Sequence, residues 1–467
     1  MLIDFKVSNF LSFNEEVTMN MIAANSIKEH EKTTKSSLNN IIFDKNTDNK
    51  LLKSSVIYGA NASGKSNLLF AMSFFKNFIL TSSSDKNEGD EIEVIKFLLS
   101  PNTENEPSFF QIIIIIDDVR YRYGFEADNE KIHSEWFFSL KSTPYAKETK
   151  LFIREYQEIR INKQSFSEGK DIEKKTRSNA LFLSTVAQFD GEKSNIFRNW
   201  IKNNFILISG LEDEDYKDFT INKWKKEKQF RTILIEFFKT IKIGFEKIEL
   251  EEKEQILDKL LPDLIAEEED NELKEILENL QRLTKKISQK AEILNKLDKN
   301  VITKINFLHP KKDNTGNLIN FVNIDFWLQS KGTQKLFNIF GIWIDAIENG
   351  KVLIIDELAS SLHTLITIEL IKIFHSNRNK SAQLIFATHD TNLLKKELFR
   401  RDQIWFTEKN NLGATDLYSL VEYKINQAKV RNDASFEKDY LLGKYGAIPF
   451  LGDIENFKNN FINEQED

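Results

Sequence analysis

Cysteine is absent from all 467 residues, which excludes disulfides, thiolate-bound zinc and iron–sulfur clusters and suits a reducing, cytoplasmic setting. Any metal must therefore sit on oxygen or imidazole ligands. Long apolar runs are absent too. Ile112 to Ile116 is far shorter than the roughly 20 residues needed to span a bilayer, so no membrane partner is expected. The opening MLIDFKVSNFLSF alternates apolar and polar residues and reads as a strand, not a signal peptide. Nor is there an excess of positive charge. With 65 Lys and Arg against 72 Asp and Glu the net charge is -7, so nothing global marks a nucleic-acid binder, although a local basic face stays open.

What is present is an ordinary globular balance, 40% hydrophobic and 29% charged, in a chain long enough for about two to four structural units. Residues 1–24 read as strands, and Asn25 to Lys50 as an Asn-, Lys- and Ser-rich surface excursion. Lys53 to Tyr58 is a short apolar strand leading through a Gly-containing loop to a helix from Ser66. Phe109 to Leu140 reads as an antiparallel meander, with Asp117-Asp118 explained better by a turn than by a metal site. From Glu214 to Asn300 the composition shifts to Lys, Glu, Leu and Ile. Leu273, Ile276, Leu280, Leu283, Ile287, Leu294 and Leu297 fit a heptad that Lys290 interrupts. Two arrangements fit this stretch, a projecting helical hairpin and an amphipathic helix packed on the head. A strand pair then delivers the chain to Ser330, and the rest reads as a parallel α/β lobe with a late antiparallel edge. The expected organisation is 1–213, 214–300 and 301–467.

Four motifs carry the chemistry. Gly59-Ala60-Asn61-Ala62-Ser63-Gly64-Lys65-Ser66, followed by Asn67, fits G-x-x-x-x-G-K-[ST] between a strand and a helix. Its backbone N–H groups can wrap phosphate at a helix start, with Lys65 reaching the β- and γ-phosphates and the Ser66 hydroxyl on Mg²⁺. KVLIIDEL ends a buried strand in Asp356-Glu357, one carboxylate for magnesium and one to polarise the attacking water. An Asp-Glu pair alone commonly starts a solvated helix; far downstream of a phosphate loop the functional reading prevails. QLIFATHD ends another apolar strand in His389, placed to sense a γ-phosphate. Ser330-Lys331-Gly332-Thr333-Gln334 opens an apolar helix, where Ser330, Gly332 and Thr333 offer an anion site, although simple helix capping also explains Ser and Gly.

In this order the motifs resemble the ABC-type P-loop ATPases, and SKGTQ is similar to the signature of their SMC-like branch. The resemblance implies an ATPase head with a mixed sheet, helices, an antiparallel β-subdomain and a coiled-coil-like insertion. It implies ATP and Mg²⁺ as cofactors, Glu357, His389 and Lys65 as the catalytic set, and Gln188 as the Q-loop ligand of magnesium beside Ser66 and Asp356. It also implies a head-to-tail homodimer or higher oligomer in which Ser330, Gly332 and Thr333 meet the other copy's γ-phosphate. Ser360 to His363 falls at the D-loop, with His363 where transporters generally carry Asp. NFLSF at Asn9 to Phe13, YRYGFE, NALFLS, DELASSLH and FEKDYLLGKYGAIPF narrow the resemblance to abortive-infection ATPases of the AbiL, RloA and OLD-like kind. In that group Asn9, Phe10 and Phe13 match positions near the adenine, although a Phe there fits the core equally well. Members act in defence against phage beside a nuclease-like effector, often Toprim- or RloB-like. The leading expectation is thus a defence ATPase answering a phage-derived trigger. Too few residues follow His389 for a nuclease domain of about 100 residues. The alternative is a DNA-engaging repair or chromosome ATPase, for which the Lys-rich segment 222–231 is the place to look.

Overall fold

The computed structural model describes residues 1–25, 40–43, 50–85, 87–142, 146–209, 215–254, 301–425, 428–429 and 435–449. By its contacts the chain divides into two units, Met1–Asp215 with Ile342–Asp467, and Tyr216–Gly341. The N-terminal alternation makes β1 (Leu2–Ser8), which buries Leu2, Phe5 and Val7 and pairs with β2 (Val17–Asn20). Within the expected excursion, β3 (Ile41–Phe43) and β4 (Lys50–Leu52) form a small antiparallel ladder. Next, β5 (Ser54–Gly59), buried at every position, runs into α1 (Lys65–Thr81).

The meander is present as β6 (Ser108–Ile116), β7 (Val119–Ala127), β8 (Ile132–Lys141), β9 (Thr149–Glu155) and β10 (Glu158–Ile161). Asp117 and Asp118 link β6 to β7 at φ 45 and 64, the left-handed pair that a two-residue hairpin turn demands. The sheet is antiparallel in the order β10-β9-β8-β7-β6-β1-β2. After it come α2 (Phe182–Gln188), α3 (Glu192–Asn204) and β11 (Phe205–Ser209).

The next stretch holds α4 (Asp215–Lys226), α5 (Lys228–Thr240) and a three-stranded sheet of β12 (Lys247–Glu254), β13 (Val301–Lys312) and β14 (Leu318–Asp325). Residues 247–254, expected to be helical, are a strand because they pair along their whole length with β13. That pairing overrides a Glu- and Lys-rich composition that favours helix. Residues 301–341, expected with the C-terminal half of the head, cluster with this unit instead. The heptad from Leu273 to Leu297 lies outside the described residues.

Helix α6 (Lys331–Asn349) leads to β15 (Val352–Asp356), α7 (Thr364–Phe374), β16 (Gln383–Ala387), β17 (Ile404–Lys409) and β18 (Thr415–Ser419), then the short β19 (Lys424–Ile425) and β20 (Ala428–Lys429) and α8 (Phe436–Leu441). The second large sheet runs β11-β15-β16-β5-β17-β18, parallel up to the antiparallel β17–β18 edge. Its central strands read as continuous apolar runs because both faces are covered. Helix α1 buries Leu68, Met72, Phe75 and Ile79, spaced three and four apart, in a core that also holds Phe5, Phe110 and Phe125 from one sheet and Ile57, Ile354 and Ile385 from the other. Gln383 joins the two sheets. Its Oε1 accepts from Leu2 N–H at 2.6 Å, and its Nε2 donates to Leu2 O at 2.9 Å. Among the described residues no helix is long and apolar enough to cross a membrane.

Candidate nucleotide site

Three neighbouring parallel strands, β15, β16 and β5, end at one edge of the sheet and deliver Asp356-Glu357, His389 and the Gly59–Ser66 loop there. Open α/β sheets place ligands at this edge, because loops and helix N-termini converge there. The loop needs its glycines. A Cβ on Gly59 would lie 2.4 Å from Ser63 Oγ and 2.5 Å from Thr407 O, while Gly64 sits at φ +108 with Thr415 Oγ1 at 2.3 Å from the same ideal position. Ala62 is also left-handed, at φ 62, so the chain turns sharply between Asn61 and Gly64.

Lys65 is buried, and its Nζ donates to Gly59 O and Ala60 O, each at 2.9 Å. Desolvation pulls its pKa down to about 8, against the opposing pull of Asp356 and Glu357. His389 is held below its ordinary pKa by desolvation and then by the Lys65 charge, while Glu357 and Asp356 act in the other direction. The four ionisable residues expected to act together thus share one electrostatic environment. His389 is fixed from behind: Asp390 accepts Thr364 Oγ1–H at 2.6 Å on its Oδ2, and Tyr58 O–H donates to Asp390 O at 3.1 Å.

The donor set fits a hard cation. Asp356 Oδ1 is buried with no hydrogen-bond partner among the described residues, which is unusual for a carboxylate oxygen, and oxygen donors suit Mg²⁺. The Ser66 side chain is exposed at the start of α1. Glu357 at φ 51 and Ser361 at φ 62 bracket the turn after β15, and left-handed non-glycine residues concentrate at functional sites. At that turn's end His363 Nδ1 accepts from Leu365 N–H at 3.2 Å, capping α7.

Beside the loop lies a cavity of about 610 Å³, lined on one side by Gly59, Ala60, Asn61, His389 and Thr391 and on the other by Tyr440, Leu441, Ile448 and Pro449. The second wall comes from a tail whose sequence suggested kinship but no role. Its signal was aromatic content: Tyr440 packs on Tyr58 at 5.8 Å and on Phe406 at 5.4 Å.

The remaining expected contributors are Gln188, in the same unit, and Ser330, Gly332 and Thr333, in the other. Gln188 is exposed at the end of α2, whose Ser184 Oγ donates to Ile79 O at 2.7 Å near the far end of α1. Helix α3 runs back along α1, with Arg198 Nη2 on Leu80 O at 2.7 Å and Phe205 O accepting from Lys76 Nζ at 2.6 Å. Gln188 precedes α3 and so belongs to the end of α1 opposite Lys65–Ser66, and α1 itself is about 25 Å long. Of the residues expected to hold magnesium, Ser66 stands at the start of α1 and Asp356 at the end of β15, both at this sheet edge. Ser330, Gly332 and Thr333 belong to the Tyr216–Gly341 unit. There Ser330 Oγ accepts from Thr333 N–H at 3.1 Å and meets Thr333 Oγ1 at 2.9 Å, a helix cap. Gln334, named only as the end of the motif, donates from Nε2 to the carbonyls of Phe326, Trp327 and Gln329 at 3.2, 3.0 and 2.9 Å. It thereby fixes the turn that leads into Ser330.

Among solved structures the chain is similar to the SMC head domain from Thermotoga maritima (10% identity, 90% of this chain, 98% of that chain, TM-score 0.37). It is similar also to an SMC head bound to the C-winged helix domain of ScpA (12%, 90% and 97%, TM-score 0.36). A third likeness is an SMC head with an extended coiled coil bound to the C-terminal domain of ScpA derived from Pyrococcus furiosus (12%, 94% and 98%, TM-score 0.35). At such scores no residue-level correspondence follows. No curated protein matches the chain. Residues 54–395, from the strand before the phosphate loop to just beyond His389, match the family described as "AAA domain, putative AbiEii toxin, Type IV TA system". The chain belongs to that family, the P-loop ATPases of the abortive-infection type.

Proposed function

We propose that this chain binds magnesium-ATP at Gly59–Asn67 and hydrolyses it, two copies pairing head to tail so that Ser330, Gly332 and Thr333 of one complete the phosphate site of the other. In this reading the ATPase is the sensing or regulatory subunit of an anti-phage, abortive-infection system and controls a partner nuclease or toxin. The observation that carries the enzymatic part is the unpartnered, buried Asp356 Oδ1 at the same sheet edge as Lys65, Glu357 and His389. The family's toxin–antitoxin description supports the defence setting.

The residues divide the work by their chemistry. Lys65 exchanges the Gly59 and Ala60 carbonyls for phosphate oxygens, a charge-assisted interaction stronger than the one it leaves. Ser66 and Asp356 would hold magnesium, which when bound neutralises charge on the β- and γ-phosphates. Glu357 accepts a proton from the attacking water. His389, kept neutral at pH 7 by its lowered pKa, can hydrogen-bond the γ-phosphate without adding a second fixed cation beside Lys65.

The test is a pair of variants mixed in one tube. Lys65→Ala alone and Ser330→Arg alone should each be inactive. Mixed, they should recover about one working site per heterodimer, measured as phosphate release. No recovery, with both variants folded, would falsify the composite site. In cells, full phage protection by Lys65→Ala would remove ATP from the defence role.

A further inference from the structure

We propose that Thr415 and Ser12 are positioning residues of the phosphate loop, the members of a hydroxyl relay that sets which way the Ser63–Gly64 peptide faces. The inference rests on the nucleotide reading above only for what the loop binds. Three polar side chains and one main-chain carbonyl, from three distant parts of the chain, meet behind the loop. Asn67 Nδ2 lies 2.8 Å from Ser12 Oγ, Ser12 Oγ lies 2.8 Å from Thr415 Oγ1, and Thr415 Oγ1 lies 2.8 Å from Ser63 O. Ser12, Ser63 and Thr415 are all buried, at 7%, 2% and 3% exposure, so water is not an alternative partner.

A hydroxyl has one hydrogen to give, and a carbonyl can only accept. Thr415 Oγ1 is the donor toward both Ser63 O and Ser12 Oγ, so these two acceptors share its one hydrogen, while Asn67 Nδ2 donates to Ser12 Oγ from the loop side. Ser12 thus holds the Thr415 hydroxyl in place beside Ser63 O. The main chain adds a further tie, Thr415 N–H to Ser12 O at 2.7 Å. The Ser63 side chain is held separately, its Oγ 2.6 Å from Thr407 Oγ1.

A peptide unit is planar and trans, so its C=O and N–H point in opposite directions. Anchoring Ser63 O on Thr415 turns the Gly64 N–H away from Thr415, toward the concave side of the loop. That is where a phosphate oxygen would need a donor. Gly64 permits the arrangement because Thr415 and Ser12 occupy the space any Cβ there would take, at 2.3 and 2.9 Å. Thr415 thus acts twice on the same peptide, pulling its carbonyl back and excluding a side chain from the next residue. It touches no reacting atom and acts through the loop.

The experiment compares Thr415→Val, Thr415→Ser, Ser12→Ala and Thr407→Val in the full-length chain with two readouts. One is hydrogen–deuterium exchange of the peptide covering residues 59–67 in the absence of nucleotide; the other is the dissociation constant for magnesium-ATP. Thr415→Val removes the donor at nearly constant volume. It should speed exchange of the loop about tenfold and weaken ATP about tenfold, with β15 exchange unchanged. Thr415→Ser should restore both to within about twofold. Ser12→Ala, which leaves Thr415 its acceptor, should give a smaller effect, about threefold. Loop exchange within twofold of wild type in Thr415→Val overturns the proposal, as does acceleration spread equally over β15, which marks a general loss of stability. If Thr415→Val does not fold, wild-type loop exchange in both Ser12→Ala and Thr407→Val overturns it instead. A wild-type chain that binds no ATP rejects the nucleotide reading, while the exchange data still decide the relay.

Discussion

Asp4 offers the sharpest quantitative test of the fold that carries the site. It lies in the middle of β1, between β2 and β6, with Oδ1 buried and without a hydrogen-bond partner among the described residues. Desolvation raises its pKa from 3.8 to about 6, only partly offset by Lys6, Arg120 and Arg122. A carboxyl whose folded-state pKa is raised favours folding while protonated and loses that advantage as pH climbs through the folded value. The shift corresponds to ~3 kcal/mol if taken in full, and residual solvent contact reduces the expected figure to ~2 kcal/mol. Asp4→Asn removes the charge and keeps the shape, so at pH 7.5 the variant should be more stable than wild type by about that amount. The gain should shrink as pH falls below about 6 and vanish near pH 4. Urea unfolding at half-unit pH intervals between 4 and 8 measures the difference directly. A gain independent of pH, or none at pH 7.5, would refute the assignment of a buried, uncompensated carboxylate at this position.

Four further outcomes follow from named contacts. Glu357→Gln should retain ATP binding and lose turnover by at least about a hundredfold, since an amide cannot accept the proton; equal phosphate release by the variant would take Glu357 out of the reaction. Gln188→Ala should leave turnover within about twofold of wild type, because the residue belongs to the far end of α1; a large loss in steady-state rate would return it to the metal site. Gly64→Ala should abolish nucleotide binding, read by titration calorimetry, because neither the φ of +108 nor the neighbouring Thr415 accommodates a methyl group. Glu135→Ala should cost about 3–5 kcal/mol in denaturant unfolding. It leaves Arg154, 3.6 Å away and fully buried, without its anion, and strips the Phe182 and Leu183 N–H groups of their acceptor at 2.7 and 2.9 Å.

The parts of the site legible in the sequence were those encoded by local order. A buried strand followed by Gly59–Ser66, a second ending in Asp356-Glu357 and a third ending in His389 each announce both their element and their place at its end. Parallel pairing of the three strands then brings the loops together without further information. The relay was not legible. Its partners are separated by 403 residues between Ser12 and Thr415 and by 352 between Ser63 and Thr415, and a buried Thr on an edge strand looks like any β-branched strand residue. Gln188 was misplaced for a related reason: its position in the motif order suited a Q-loop, but order does not say at which end of α1 a helix docks. At Lys247–Glu254 the charged composition favoured helix, and eight cross-strand pairs with β13 decided otherwise.

The same contacts argue that the phosphate loop and the C-terminal tail are not independent. Tyr58 is the last residue before Gly59, its hydroxyl reaches the carbonyl of Asp390 beside His389, and its ring packs on Tyr440. Tyr440 in turn donates to Ala447 O at 3.0 Å, and Tyr418 donates to Tyr445 O at 2.7 Å, so the tail is folded against the β17–β18 hairpin. That hairpin is the one that supplies Thr407 and Thr415 behind the loop. One edge of the sheet therefore supports the loop from behind through hydroxyls and walls its cavity through the tail. Packed cores transmit displacement because they contain few voids. A partner that moved the tail would on this account act on Gly59–Ser66 and His389 together, and truncating Tyr440 to Ala should change ATP affinity and turnover in the same variant.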